Sequence, residues 1–145
     1  MNKFSELQAT DLELELVIQP IGDHGWPCVT VEIQDQKIWD GRLTQTLCYR
    51  GQWPLLDPIG ISITLRDKVY QSAPGDTAVR LQKLDIDGLA VIPTYAHLAQ
   101  YHNDHGQGRA TDYLGFNGQW SLHIPRPFYQ WWHEITGQGW LLKPH

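Results

Sequence analysis

Leu12-Glu13-Leu14-Glu15-Leu16-Val17-Ile18-Gln19 is the stretch whose reading decides the fold. Leu12, Leu14, Leu16 and Ile18 recur at period two with Glu13 and Glu15 between them. An extended chain with that spacing has one apolar face and one wet face. Pro20 and Gly22-Asp23-His24-Gly25 end the strand. Beyond it, Val29, Val31 and Ile33 repeat the alternation up to Asp35-Gln36, and Lys37 to Trp39 leads into an Asp40-Gly41 turn. Leu43 to Tyr49 alternates again. The segment from Gly51 to Gly60, with Pro54 and Pro58, reads as a loop, and Ile61, Ile63 and Leu65 supply a further strand. After the Pro-Gly loop Ser72 to Asp76, Val79 to Asp87 is strand-like, but its apolar parity slips between Leu81 and Leu84. Such a slip predicts a bulge or burial on both faces. Gly88 then makes a turn.

Short strands punctuated by glycine and proline, with no amphipathic segment of helical period before residue 93, predict an all-β fold. The expected form is an antiparallel β-sandwich of jelly-roll-like kind. The 145 residues suit a single domain, 1–145. Its sandwich core is expected over 11–92, with an elaborated segment, 93–145, completing the sandwich. In that segment 96–110 is polar and rich in His, Gly and Gln, and reads as a long loop. Asn117-Gly118 signals a hairpin ahead of the alternating Trp120, Leu122 and Ile124. Phe128 to Thr136 is the one short helix predicted, with Pro127 at its start and Gly137 as its stop.

Composition narrows the function. The net charge is −5, and no Lys/Arg block is present to neutralise phosphates, so nucleic acid is not an expected partner. No apolar run reaches membrane-spanning length, and Met1 to Glu6 has no apolar core of a signal peptide. Hydrophobic residues make up 41% of the chain, enough for a packed interior rather than disorder. Cys28 and Cys48 lie in strand-like stretches and read as free, buried thiols rather than a disulfide.

No catalytic signature survives inspection. His133-Glu134 opens like a zinc-protease helix, but the second histidine would fall at Gly137, which has no imidazole to offer. Glycine-rich dinucleotide or phosphate loops and a nucleophile elbow are missing, so the chain is not expected to be an enzyme. His97, His102, Asp104 and His105 are the densest set of possible metal ligands. Their spacing fits no closed site and favours a solvated loop. Of the 16 aromatic residues, 10 follow residue 93, a bias that marks the C-terminal third. Trp39, Trp120, Trp131 and Trp132 sit in regular elements and suit core filling. Trp26, Trp53, Tyr70 and Tyr101 fall beside loop residues. There a ring either pins a loop to the sandwich or offers a flat face to a sugar or a protein.

Residues 14–88 resemble a carbohydrate-binding module of the calcium-dependent xylan-binding kind. The resemblance rests on the opening strand, the Gly-rich turn, Pro27-Cys28-Val29-Thr30-Val31-Glu32-Ile33 and the Asp40-Gly41 turn. It continues through Ile61-Ser62-Ile63-Thr64-Leu65-Arg66-Asp67 and Leu81-Gln82-Lys83-Leu84-Asp85-Ile86-Asp87-Gly88. It implies a small sandwich that binds sugar through calcium held by loop carboxylates. Asp67 matches a ligand position and Asp76 lies near another. Gln82 stands where those modules carry an acid, and Arg66-Asp67 replaces an Asn-Asp pair. Calcium takes six to eight oxygens, so the resemblance carries the fold further than the metal. The C-terminal block, Tyr113 to Trp120 and Pro127 to Trp132, is similar to segments of small virion proteins of aquatic tailed bacteriophages.

Two functions follow as expectations. The first is a non-catalytic structural component of a phage virion, a capsid decoration (cement) or tail accessory protein. It would act on other virion proteins or on copies of itself through an interface of Phe128, Trp131, Trp132 and Arg126. The second is a lectin-like carbohydrate-binding module with Trp26, Trp53, Tyr70 and Tyr101 on a polysaccharide, calcium being an option at Asp67 and Asp76.

Overall fold

A computed structural model describes residues 11–54, 57–109, 112–125 and 127–137. Eleven strands and one α-helix follow in order: β1 (Asp11–Gly22), β2 (Cys28–Ile33), β3 (Gln36–Arg42), β4 (Leu47–Pro54), β5 (Ile59–Arg66), β6 (Thr77–Ile86), β7 (Leu89–Ile92), a 3-10 turn (Ala96–Leu98), β8 (Gln100–Asn103), β9 (Gly106–Arg109), β10 (Tyr113–Leu114), β11 (Gly118–Ile124) and α1 (Phe128–Thr136). They form two antiparallel sheets. The first runs β10-β6-β1-β4, with β7 also on β6. The second runs β3-β2-β5-β11-β8-β9. The described residues thus form an all-β sandwich carrying one short helix.

The period-two reading is realised strand by strand. Leu12, Leu14, Leu16 and Ile18 are fully buried on the inner face of β1. They meet Val29, Val31 and Ile33 of β2, Ile61, Ile63 and Leu65 of β5, and Trp120, Leu122 and Ile124 of β11 in one core cluster. Each such side chain contributes about 1.5–3 kcal/mol of transfer free energy. The parity slip in β6 is a bulge: Val17 faces Lys83 while Ile18 faces Leu81. Gln82 is the extra residue, so Leu81 and Leu84 both point inward and both are fully buried. Its side-chain amide is not wasted, donating to Gln19 Oε1 at 2.9 Å on the outer face. Asp87 and Gly88 both take positive φ, 52° and 79°, in the two-residue turn joining β6 to β7.

Three expectations are corrected. The strand read as Leu43 to Tyr49 is Leu47–Pro54. Its inward parity runs on through Tyr49 and Gly51 to Trp53, held by pairing of Leu12 with Trp53 and Leu14 with Gly51. The 96–110 segment is not a loop throughout but holds β8 and β9, an antiparallel pair at the edge of the second sheet. An edge strand with little to bury lacks the apolar alternation that would announce it. Asn117-Gly118 is not a hairpin turn, since β10 pairs with β6 in one sheet and β11 with β5 in the other. The dipeptide carries the chain between sheets.

Helix α1 occupies its expected place. Pro127 precedes it with extended angles (φ −74°, ψ 147°), and Gly137 ends it in the left-handed region at φ 78°. Phe128 and Trp131 face inward at 1% and 9% exposure. Trp132 packs edge-on against Tyr95, ring centres 5.6 Å apart. The Tyr129 hydroxyl donates to Asp87 at the β6–β7 turn. That bond, with burial second, pushes the Tyr129 phenol up to about 12.

Candidate functional site

One end of the sandwich is built by connections that pass between the sheets or turn at their edge. These are the 23–27 turn after β1, the 67–76 segment from β5 to β6, the β8–β9 turn, and the 115–117 segment from β10 to β11. They surround a cleft of about 780 Å³, within the range of small-ligand sites.

The aromatic part of the lining is a cluster of three rings. His105 stacks on Phe116 with centres 4.0 Å apart and planes 25° apart. Tyr70 meets His105 edge-on at 4.9 Å. Tyr70 and Phe116 remain 41% and 39% exposed, so both keep free ring surface. Beneath them Tyr101 is 6% exposed. Its hydroxyl accepts from the Phe116 N–H at 3.0 Å and donates to the Phe116 carbonyl.

Asn117 fixes the positions of these rings. Its side-chain carbonyl accepts from Lys68 N–H and its amide donates to the Lys68 carbonyl, each at 2.8 Å. That reciprocal pair ties the 115–117 segment to 67–76 as a strand neighbour would. The Asn117 backbone N–H donates to the Tyr70 hydroxyl at 2.8 Å. Tyr70 in turn donates to the Asp104 carboxylate, whose oxygens lie 2.6 and 2.7 Å away. His105 Nδ1 sits 2.8 Å from Asp104 Oδ1. The hydrogen bond from Tyr70, more than the His105 contact, holds the Asp104 carboxyl below its ordinary value.

The polar part of the lining centres on Asp76. Its Oδ1 accepts from Lys68 Nζ at 2.5 Å and from Thr77 N–H at 2.9 Å, and its Oδ2 accepts from the Tyr113 hydroxyl. Burial is the largest influence on this carboxyl and acts upward. The bonds from Lys68 and Tyr113 and the Lys68 charge together outweigh it, and Asp76 titrates below its ordinary value. Asp23 fastens the segment to the first turn, accepting from Asp76 N–H and donating its own N–H to the Asp76 carbonyl, both at 2.9 Å.

The other expected residues are dispersed. Trp26 is 42% exposed but lies over Gly22, where a Cβ would collide with its ring, and it is not among the cleft residues. Trp53 is a correction. It belongs to β4 rather than a loop and packs half-buried against the core. Tyr101 is likewise in β8 rather than a loop, and it supports the ring cluster instead of presenting a face. His97 lies on the 3-10 turn beside Tyr95, and His102 contacts Gln100. Only Asp104 and His105 of that four-residue set come together at the cleft. Phe128 and Trp131 are spent inside this chain's own core, which corrects their placement in an interface with another chain. Trp132 is half-buried against the same core, and Arg126 lies outside the described residues. Cys28 and Cys48 are free thiols; Cys48 is exposed and Cys28 half-buried, not the buried pair expected.

The expected calcium ligands do not fit calcium. Asp67 stands at φ 62° with its side chain 73% exposed beside Arg66. Asp76 already accepts from an ammonium, a phenol and an amide. Among the described residues no three His, Cys, Asp or Glu side chains gather as metal ligands. Lys68, Tyr113, Phe116 and Asn117 were not singled out by sequence reading. The Asn-Gly pair is the one signal among them, and its residue types point to a hairpin rather than to this cross-link.

The ionisable groups of the cleft set its pH range. Burial first, then the bond to Asp76, pushes Tyr113 up to about 12, and burial does the same for Tyr101. A phenol whose folded value lies above its unfolded one makes stability fall as pH rises, because the unfolded chain releases the proton first. That contribution is full below pH 10.0, the ordinary value, and is lost as pH climbs through about 12. The lowered carboxyls Asp76 and Asp104 act on the acid side. Their contribution is present above the ordinary 3.8 and is lost as pH falls through their lower folded values. Phenolate absorbance followed beside far-ultraviolet circular dichroism should therefore show late ionisation coinciding with unfolding. Full ionisation of all tyrosines near 10 in the folded chain would contradict the burial described.

Neither a family model nor a curated protein matches this sequence. Among solved structures it is similar to the selenomethionine form of vCBM60, described in a study of circular permutation between two families of calcium-dependent carbohydrate-binding modules. The match covers 76% of this chain and 88% of that one, at 12% identity and a TM-score of 0.46.

Proposed function

We propose that this chain is a non-catalytic carbohydrate-binding protein that holds a saccharide in the cleft between the 67–76 and 115–117 segments. The observation that carries the reading is the lining itself. Exposed faces of Tyr70 and Phe116 suit the apolar C–H face of a pyranose, and the neighbouring polar groups suit its hydroxyls. A few placed polar groups in a largely apolar concavity are what orient a small ligand. Hydrolysis is disfavoured by the carboxyls. A glycosidase needs one acid whose pKa is raised so that it can protonate the leaving oxygen. Asp76 and Asp104 are both shifted the other way.

A virion subunit working through protein contacts is the competing proposal. It drew on the C-terminal rings as an interface, and Phe128 and Trp131 are consumed internally. The saccharide reading needs no residue that the core already uses. Affinity electrophoresis through gels containing soluble neutral and acidic polysaccharides, with pull-down on insoluble ones, tests it. Retarded migration on at least one polymer, relieved by its free oligosaccharide, is expected. Unchanged migration and no pull-down across the whole panel would overturn it.

A further inference from the structure

We propose that the ammonium group of Lys68 is a built-in cation that cross-links the cleft segments, so that the site is shaped without a divalent metal. The proposal deepens the saccharide reading, but its structural half stands independently of what is bound.

The Lys68 side chain is 8% exposed. A charge withdrawn from water to that degree persists only where other groups replace its hydration. Here they come from three places in the chain. Nζ donates to Asp76 Oδ1 at the start of β6 and to the Gly115 carbonyl between β10 and β11, each at 2.5 Å. It also lies 5.3 Å from the centre of the Tyr70 ring, within cation–π range. Gathering a loop carboxylate and a carbonyl oxygen from separate segments is what a loop-bound calcium does. A single positive charge with three N–H groups satisfies fewer partners, and a carboxylate, a carbonyl and a ring are what it has.

The surroundings are built for this arrangement. Asp76 has about four lone-pair sites as a carboxylate. Lys68, Thr77 and Tyr113 already use three of them. At Gly115, a Cβ would press on the Tyr113 ring at 3.0 Å and on Asp76 Oδ2 at 3.4 Å. The Lys68 backbone is itself clamped in both directions by Asn117. Because the cation is carried on a covalent stem, it cannot be diluted away or chelated. Stabilisation by mass action, which governs a bound metal, does not apply.

The test uses the full chain as wild type, Lys68→Met, Lys68→Arg and Asp76→Asn. Thermal melts are run in excess calcium and in excess EDTA, and the polysaccharide panel is run in both. The wild-type midpoint should be the same in the two conditions. Lys68→Met should lower it by about 5–10 °C through the stranded Asp76 charge, with no recovery in calcium. Lys68→Arg should keep more of the stability than Lys68→Met. If Lys68→Met fails to fold, Asp76→Asn supplies the reading, with a smaller fall that is equally indifferent to EDTA. A wild-type midpoint lowered by EDTA, a saturable rise in calcium, or a Lys68→Met chain as stable as wild type would overturn the proposal. Polysaccharide retained only with calcium would remove the ammonium strut and leave the saccharide reading standing. EDTA-insensitive melts with no polysaccharide retained would do the reverse.

Discussion

Phe128→Ala is expected to lower the free energy of unfolding by about 3–5 kcal/mol, the range for deleting a buried aromatic ring. Phe128 is 1% exposed and lies among Tyr129, Trp131 and Trp132, with ring centres 5.2–6.2 Å away. Removing it leaves a void under α1, whose Trp131, Trp132 and Ile135 also pack on the core. Domains of this size have about 5–15 kcal/mol in all, so the variant should melt far below wild type. Trp131→Ala, at 9% exposure, should follow it at somewhat lower cost. Denaturant titration combined with sedimentation velocity checks the result. Unaltered stability together with a change in sedimentation would return these rings to an intermolecular surface.

The second large effect concerns binding. Removing both exposed rings, Tyr70→Ala with Phe116→Ala, should weaken saccharide affinity about a hundredfold, as loss of central aromatic contacts does elsewhere. The single variants separate the ring from its support. Phe116→Ala removes a face that is 39% exposed, so affinity should fall while the melting temperature moves little. Tyr70→Phe keeps the face but loses the bonds to Asp104 and Asn117. It should cost about 1 kcal/mol of stability and little affinity. Calorimetric titration with the polysaccharide that is retained reads both. Equal affinity across all three variants would place the binding surface elsewhere.

The sandwich was legible wherever a strand buries one face. β1, β2, β5 and β11 announce themselves by strict alternation, and the Leu81/Leu84 slip is the bulge, one of the two outcomes its spacing allows. Legibility failed at the sheet edges. β8 and β9 carry Gln, His, Asn, Gly and Arg beside the buried Tyr101, so no apolar alternation marks them. It failed also where a strand continues through residues that favour turns: Gly51 sits on the inner face of β4 because the Tyr49 ring lies over it. Of the cleft, Tyr70, Tyr101, Asp76, Asp104 and His105 were named from sequence. Their common location was not, because it depends on contacts such as Lys68 with Asn117, 49 residues apart. Lys68 is an ordinary lysine in sequence, and its role comes entirely from the oxygens that folding brings to it.

The 67–76 segment leaves β5 in the second sheet and enters β6 in the first, while 115–117 returns from β10 in the first to β11 in the second. Neither segment can take its final path until the two layers lie face to face. Pairings such as Leu14 with Ile86 and Gly22 with Thr77 span long loops whose closure must precede any reward. The cleft is accordingly expected to be among the last features to be assembled. If the proposed saccharide function holds, a half-formed chain, however rich in local hairpins, has nowhere to hold a sugar, and the binding stoichiometry of a preparation then counts its native molecules.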